Sequence, residues 1–395
     1  MNRRHDIDAL RALAFGLLIL YHLCMLYVAE WGWHVKSSYL SEALQIPMLM
    51  LNRWRMDLIF LVSGISTALL MQHTSSRIGG FLRQRTRRLL LPLAFGMVVV
   101  VPIQPYCEGV FNGAIQPGFV PFLVRYYTGT TWPEHAFAGW QYGYTWNHLW
   151  YLAYLWCYTR VLAALLPAFN TRLGQRLLAA FTGLRGARLL LLPALPLMLY
   201  TVMLQARFPE TKDLLHDWYL HPVYFTIFVY GWCLARSDAL WAELLRLRKP
   251  ALALALACGG AYLALVLSFK AKDEISTATQ WLIWTLRNVY VWSTLCAILG
   301  WAYALLNRPF RWLPWATEAV YPWYLLHQSL IVLLAYWLVP LKLGPVAEPL
   351  LVGVGTVLGC WALTSGLVVR SPRLRPLFGL KPLKQAGNTA TVSTT

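Results

Sequence analysis

The chain has 395 residues, of which 58% are hydrophobic and 13% charged, with a mean hydropathy of +0.50. Soluble domains carry about 25% charge, so a large soluble domain is excluded. The net charge of +18 sits in short basic clusters between apolar stretches. That is the pattern of membrane-protein loops rather than of a nucleic-acid-binding face, so no nucleic-acid partner is expected.

Ten apolar stretches approach the ~20 residues that a helix needs to cross a ~30 Å hydrocarbon core. They fall at 8–28, 54–73, 88–106, 147–167, 188–206, 221–236, 250–269, 280–306, 316–339 and 349–369. The sixth is short, and Arg53, Arg55 and Asp57 crowd the start of the second. The expected fold is all-α, a polytopic transmembrane bundle of about ten helices. Residues 1–383 are expected to form one membrane-embedded domain, and 384–395 a disordered polar tail. With the N-terminus inside, 22 Lys and Arg fall in inside segments and 7 in outside ones. This bias predicts that both termini are cytoplasmic. The first stretch has no small-residue cleavage site and reads as a span, not a removable signal peptide. Residues 107–146, rich in Gly, Pro, Trp and Tyr, are expected to lie over the outer mouth. Of the seven Cys, six lie in apolar stretches and Cys107 in this outer segment. They show no paired spacing, so neither a disulfide framework nor a metal site is expected.

Ionisable groups in a bilayer are costly, so each asks for a reason. In the first span, Arg11 and His22 are eleven residues apart. That is about three helical turns, roughly 16 Å along the axis, so both project from one face. Two polar groups on one stripe predict a polar cavity that runs along this helix from the basic cluster to His22. His22 itself reads as a structural hydrogen-bonding residue, a proton relay, or a base for a hydroxyl nucleophile. Asp57 lies within a turn of Arg53 and Arg55, which fits local ion pairing or the lining of that same cavity. Ser63-Gly64 would let another backbone approach closely, and Ser63 is also expected as a candidate lining residue of the cavity.

Arg83, Arg85, Arg87 and Arg88 put four guanidiniums in six residues at the cytoplasmic start of the third span. They suit anionic headgroups of membrane lipid, or the phosphates of a cytoplasmic donor such as coenzyme A. His148 opens the fourth span at the outer boundary, where it is expected as a second polar group at the outer mouth and a candidate lining residue of the cavity. His327 follows Pro322 in the ninth span and reads first as a structural histidine, with cavity lining as the other reading.

Together these residues resemble the acyltransferase 3 family of membrane proteins. The features that carry the resemblance are Arg11 and His22 with ten residues between them, Asp57-Leu-Ile-Phe-Leu-Val-Ser-Gly64, and Arg85-Thr-Arg-Arg88 ahead of Pro92. Ile59 and Ile65 stand where that family commonly has aromatic residues. Trp33-His34-Val35, Arg55-Met56, His148-Leu-Trp-Tyr, Tyr324-Leu-Leu-His327 and Arg375-Pro-Leu-Phe-Gly are similar to the glucan biosynthesis protein C group. The resemblance implies a catalytic His22 with Arg11 as its essential partner, and Arg85 and Arg88 as the acyl-CoA-binding pair. It implies transfer of an acyl group, succinyl in that group, from acyl-CoA as co-substrate to a periplasmic glucan or other glycan. The expected location is a bacterial inner membrane, and no bound cofactor is expected. The rival readings are a secondary transporter, against which the absence of repeated halves counts, and a flippase for a lipid-linked sugar.

Overall fold

The computed structural model describes residues 4–73, 78–129, 131–269 and 275–383. The tail expected to be disordered, 384–395, lies outside the described residues, as do Arg3, Arg77, Lys270 and Lys272. The helices run in chain order: α1 His5–Met25, α2 Gln45–His73, α3 Ile78–Phe95, α4 Ile103–Phe111, α5 Phe119–Thr128, α6 Trp150–Phe169, α7 Arg172–Thr182, α8 Gly186–Leu191, α9 Ala194–Leu204, α10 Leu220–Leu234, α11 Asp238–Ser268, α12 Thr277–Leu306, α13 Leu313–Leu338, α14 Ala347–Ala362 and α15 Leu374–Leu377. Among the described residues there are no named strands, only one isolated bridge between Val28 and Ser41.

Nine helical segments among the described residues are long and apolar enough to cross a membrane. They are His5–Met25, Glu42–Gln72, Ile78–Phe111, Asn147–Phe169, Gly186–Leu204, Asp238–Ser268, Thr277–Leu306, Leu313–Leu341 and Ala347–Val368. The tenth apolar helix, α10, has 15 residues. At about 1.5 Å per residue it reaches roughly 22 Å, less than the ~30 Å core.

Several boundaries differ from expectation, among them the start of α11 at Asp238 rather than 250. α2 begins at Gln45, after a 3₁₀ turn at Glu42–Leu44, so Arg53 and Arg55 lie well inside the helix. The third span starts at Ile78 and bends through a π-turn at Gly96–Val100 before α4 resumes beyond Pro102. Cys107, expected in a loop, is therefore buried on α4. The segment beyond α4 folds over a small apolar centre of Ile115, Phe122, Tyr126, Trp132, Ala136 and Phe137.

The tightest helix contact lies between α2 and α10. A Cβ on Gly64 would overlap the carbonyl oxygen of Phe228, and one on Gly231 would overlap that of Leu61. Facing glycines let the two backbones touch, which replaces side-chain interdigitation with close backbone packing. This contact seats the short α10 beside the polar middle of α2. The C-terminal turn is pinned as well. Arg375 donates to the carbonyl oxygens of Val369 and Lys381 and forms an ion pair with Glu318 at 2.7 Å.

Candidate active site

α1 carries the site's axis. Arg11, Phe15, Leu18 and His22 are spaced four, three and four residues apart, so they share one face of the helix. Near the start of this stripe Arg11 pairs with Asp8 at 3.3 Å. Arg85 and Arg88 are half-buried, whereas Arg83 and Arg87 are exposed. Their i,i+3 spacing turns the first pair inward. Arg85 donates to Thr67 at 3.4 Å, and Arg88 to the carbonyl oxygen of Gly379 at 3.3 Å. Arg88 lies within electrostatic reach of both Arg85 and Arg11. The structure thus gathers Arg11, Arg85 and Arg88 at one end of the bundle. Buried Nε atoms on Arg11 and Arg85 have no protein partner.

At the other end of the stripe, His22 meets His327, and His148 packs on His327 with ring centroids 5.0 Å apart. His22 Nδ1 is 2.9 Å from His327 Nε2. His327 Nδ1 lies 3.0 and 2.9 Å from the carbonyl oxygens of Trp323 and Tyr324. His148 Nε2 is 3.0 and 3.2 Å from the carbonyl oxygens of Tyr324 and Leu325, and its Nδ1 is 3.4 Å from the Gln104 amide nitrogen. The Tyr324 hydroxyl donates back to the His148 carbonyl oxygen at 2.5 Å.

His22 borders two cavities. The smaller, of about 150 Å³, is lined by Arg53, Arg55, Lys212 and Arg287 against Asp57 and Glu210. Phe15, Tyr151, His148 and Tyr324 are also in its wall. With a water's share of liquid volume at ~30 Å³, it holds a small group but no nucleotide. The larger, of about 970 Å³, opens toward the 107–146 segment. Trp31, Trp33, Trp146, Trp150, Tyr142 and Tyr144 line it, with Glu108, Asn147, Asp213 and Gln328 among its polar groups. His22, Asn52, Arg55, His148, Trp150 and Lys212 line both.

Arg55 donates to Asn52 Oδ1 at 2.8 Å and lies 3.8 Å over the Tyr21 ring. That Oδ1 also accepts from the Tyr21 hydroxyl. Arg287 is buried and donates to Thr201, Gln205 and Tyr219 at 2.9–3.0 Å. Outside the spans, the Lys212 ammonium is pushed below its ordinary value, first by desolvation and then by the charge of Arg55. Burial pushes the neighbouring Asp217 carboxyl up, although Tyr154 donates to it at 2.8 Å.

The expected polar passage along α1 is interrupted. Arg11, Arg85 and Arg88 line neither of these cavities. Phe15, on the stripe between Arg11 and His22, packs edge-on against Tyr151 and Tyr324, with ring centroids 6.1 and 5.2 Å apart. Tyr151 hydrogen-bonds Ser63 at 2.5 Å, so Ser63 faces this aromatic layer and lines neither cavity. His327 lines neither cavity also, because it lies behind His22. Asp57 forms no ion pair with Arg53 or Arg55 among the described residues; it is 5% exposed in the small cavity's wall, with Oδ1 unpartnered. Sequence reasoning missed Phe15, Asn52, Lys212 and Arg287. Arg287 had a usable signal, a guanidinium in the middle of an apolar span.

A polytopic helical bundle with a histidine held between a charged pocket and a wide aromatic vestibule defines a membrane protein with a polar site among its spans. The chain belongs to the acyltransferase 3 family: the family model, described as an acyltransferase domain, matches residues 4–365. It is a multi-pass membrane O-acyltransferase. No curated protein and no solved structure matches it.

Proposed function

We propose that the protein transfers a succinyl group from cytoplasmic succinyl-CoA to a hydroxyl of an extracytoplasmic glucan or similar glycan. The setting is a bacterial inner membrane with both termini on the cytoplasmic side. Residues 1–383 act as one unit, followed by the 384–395 tail. The observation that carries this reading is His22's position at the junction of the two cavities, on the same α1 stripe as Arg11, which lies within electrostatic reach of Arg88 on α3.

Arg85, Arg88 and Arg11 supply forked donors for coenzyme A phosphates. The pantetheine arm reaches His22 when the Phe15–Tyr151–Tyr324 layer opens. Four cations against two carboxylates in the small cavity favour an acyl group that ends in a carboxylate. The vestibule's aromatic rings offer apolar faces for sugar rings, and its polar groups offer hydroxyl partners. His22 removes the proton of the acceptor hydroxyl as its oxygen bonds to the thioester carbonyl carbon. The tetrahedral oxyanion then collapses, the C–S bond breaks, and the coenzyme A thiolate takes up the proton from His22. Arg55 and the Asn52 amide, both beside His22, are the candidate oxyanion donors.

The test uses full-length protein in liposomes with succinyl-CoA and a glucan oligosaccharide. Release of coenzyme A thiol together with a succinyl-sized mass gain on the glycan is expected. His22→Ala should lower the rate about 10²–10⁴-fold. No thiol release with either succinyl-CoA or acetyl-CoA would overturn the donor. A preference for acetyl-CoA would overturn the anionic acyl group.

A further inference from the structure

We infer that His327 is a positioning residue: it locks His22 in the tautomer with hydrogen on Nδ1 and leaves Nε2 bare for the proton transfer. The inference rests on His22 being the base.

It follows from counting hydrogens. A backbone carbonyl oxygen only accepts, so His327 Nδ1, 3.0 and 2.9 Å from the carbonyl oxygens of Trp323 and Tyr324, carries the hydrogen in a bifurcated bond. Neutral His327 then has a lone pair on Nε2. His22 Nδ1 sits 2.9 Å from that lone pair, so it must be the donor. The two rings are 8° from parallel with centroids 5.1 Å apart. A nitrogen–nitrogen distance of 2.9 Å is shorter than contact between stacked faces, so the rings meet edge to edge, as an N–H···N bond requires.

The same count disposes of His148. Its Nε2 faces two carbonyl oxygens and donates, and its Nδ1 accepts from Gln104. Of the six ring nitrogens in this cluster, five have protein partners. His22 Nε2 has none among the described residues, and His22, like His148, borders both cavities. Which nitrogen of a histidine is bare depends on the bond its other nitrogen makes. In water a neutral imidazole prefers hydrogen on Nε2, which here would turn the reactive nitrogen into a donor. His327 reverses that preference. It is fully buried and lines neither cavity, so it acts through His22.

The experiment reads the tautomer and the rate separately. Full-length protein labelled with ¹⁵N-histidine is examined in detergent, and the His22 signals are assigned by their loss in His22→Gln. We expect a protonated Nδ1 and a bare Nε2 for His22 in the wild type, and the reverse in His327→Leu. With succinyl-CoA and a glucan oligosaccharide, His327→Leu should lower kcat about 10²–10⁴-fold with KM within about threefold. His327→Gln, which returns an acceptor oxygen near the Nε2 position, should recover at least about tenfold of that loss. A wild-type His22 protonated on Nε2 overturns the inference, as does an unchanged kcat in His327→Leu. If the leucine variant fails to fold, the wild-type tautomer and the glutamine variant decide. The spectrum needs no substrate, so it stands apart from the choice of acyl donor.

Discussion

Tyr151 and Ser63 share a 2.5 Å hydrogen bond in the layer that separates the arginine end of the bundle from His22. Phe15 completes that layer from α1. Removing its ring should admit water to the thioester. Phe15→Ala is expected to raise glycan-independent release of coenzyme A thiol about three- to tenfold, because a closed site suppresses hydrolysis. Phe15→Trp should slow transfer instead. Thiol release with and without glycan checks both.

Arg88 reaches the carbonyl oxygen of Gly379, which joins the third span to the C-terminal turn. On the proposed function, truncating this guanidinium removes a phosphate partner rather than the base. Arg88→Ala should raise KM for acyl-CoA about tenfold or more, at about 1.5–3 kcal/mol for a charged hydrogen bond, with kcat little changed. Arg88→Lys should recover little, since an ammonium lacks the fork. Steady-state kinetics over donor concentration separate the two constants.

Gly64 is sealed against the Phe228 carbonyl, and Gly231 against that of Leu61. A methyl at either position must push α2 and α10 apart. Gly64→Ala should cost about 1–3 kcal/mol or more, by overpacking at a backbone contact. The pair Gly64→Ala with Gly231→Ala should cost less than the sum, because one separation accommodates both methyls. Thermal unfolding in detergent reads this directly.

On the proposed function, Lys212 should give the activity a pH dependence. Its ammonium is held below the ordinary lysine value by desolvation and by Arg55. The sign is fixed: affinity for an anionic acyl donor is present below the Lys212 pKa and lost as pH rises through it. That loss should set in below the ~10.4 of a free lysine. Lys212→Arg should keep the affinity at high pH, since arginine does not deprotonate there. KM for succinyl-CoA measured against pH, with acetyl-CoA as the control, is the check.

α10 decides the parity of the chain. If this short helix crosses, both ends of the protein return to one side, as the charge bias requires. Single cysteines near Arg207 and near Asp238, in a cysteine-free background, should then label from opposite faces of intact vesicles. Labelling from one face would place α10 as a re-entrant helix.

The periodicity of α1 made its Arg11–His22 stripe legible, and the density of guanidiniums exposed the cluster at Arg85 and Arg88. Gly64 could be read as a close approach because small residues in spans have few other uses. The histidine cluster could not be read as a cluster. His22 and His327 are 305 residues apart in the chain, and their meeting depends on how α1 packs on α13. Phe15 sat on the visible stripe, but an aromatic ring in a span violates no rule and so carries no signal. Arg53 and Arg55 read as groups at a helix end only because the apolar run begins after them. The 3₁₀ turn at Glu42–Leu44 starts the helix earlier and brings both into the bundle.

The aromatic layer has a consequence for the cell's energy supply. A protein that draws one substrate from each side of a coupling membrane risks becoming a conductive pore. The interlocked rings of Phe15, Tyr151 and Tyr324 stand between the arginine end and the vestibule. On the proposed function, such a plug would deny protons a wire to follow and would keep catalysis on material outside the cell from draining the electrochemical gradient across the bilayer.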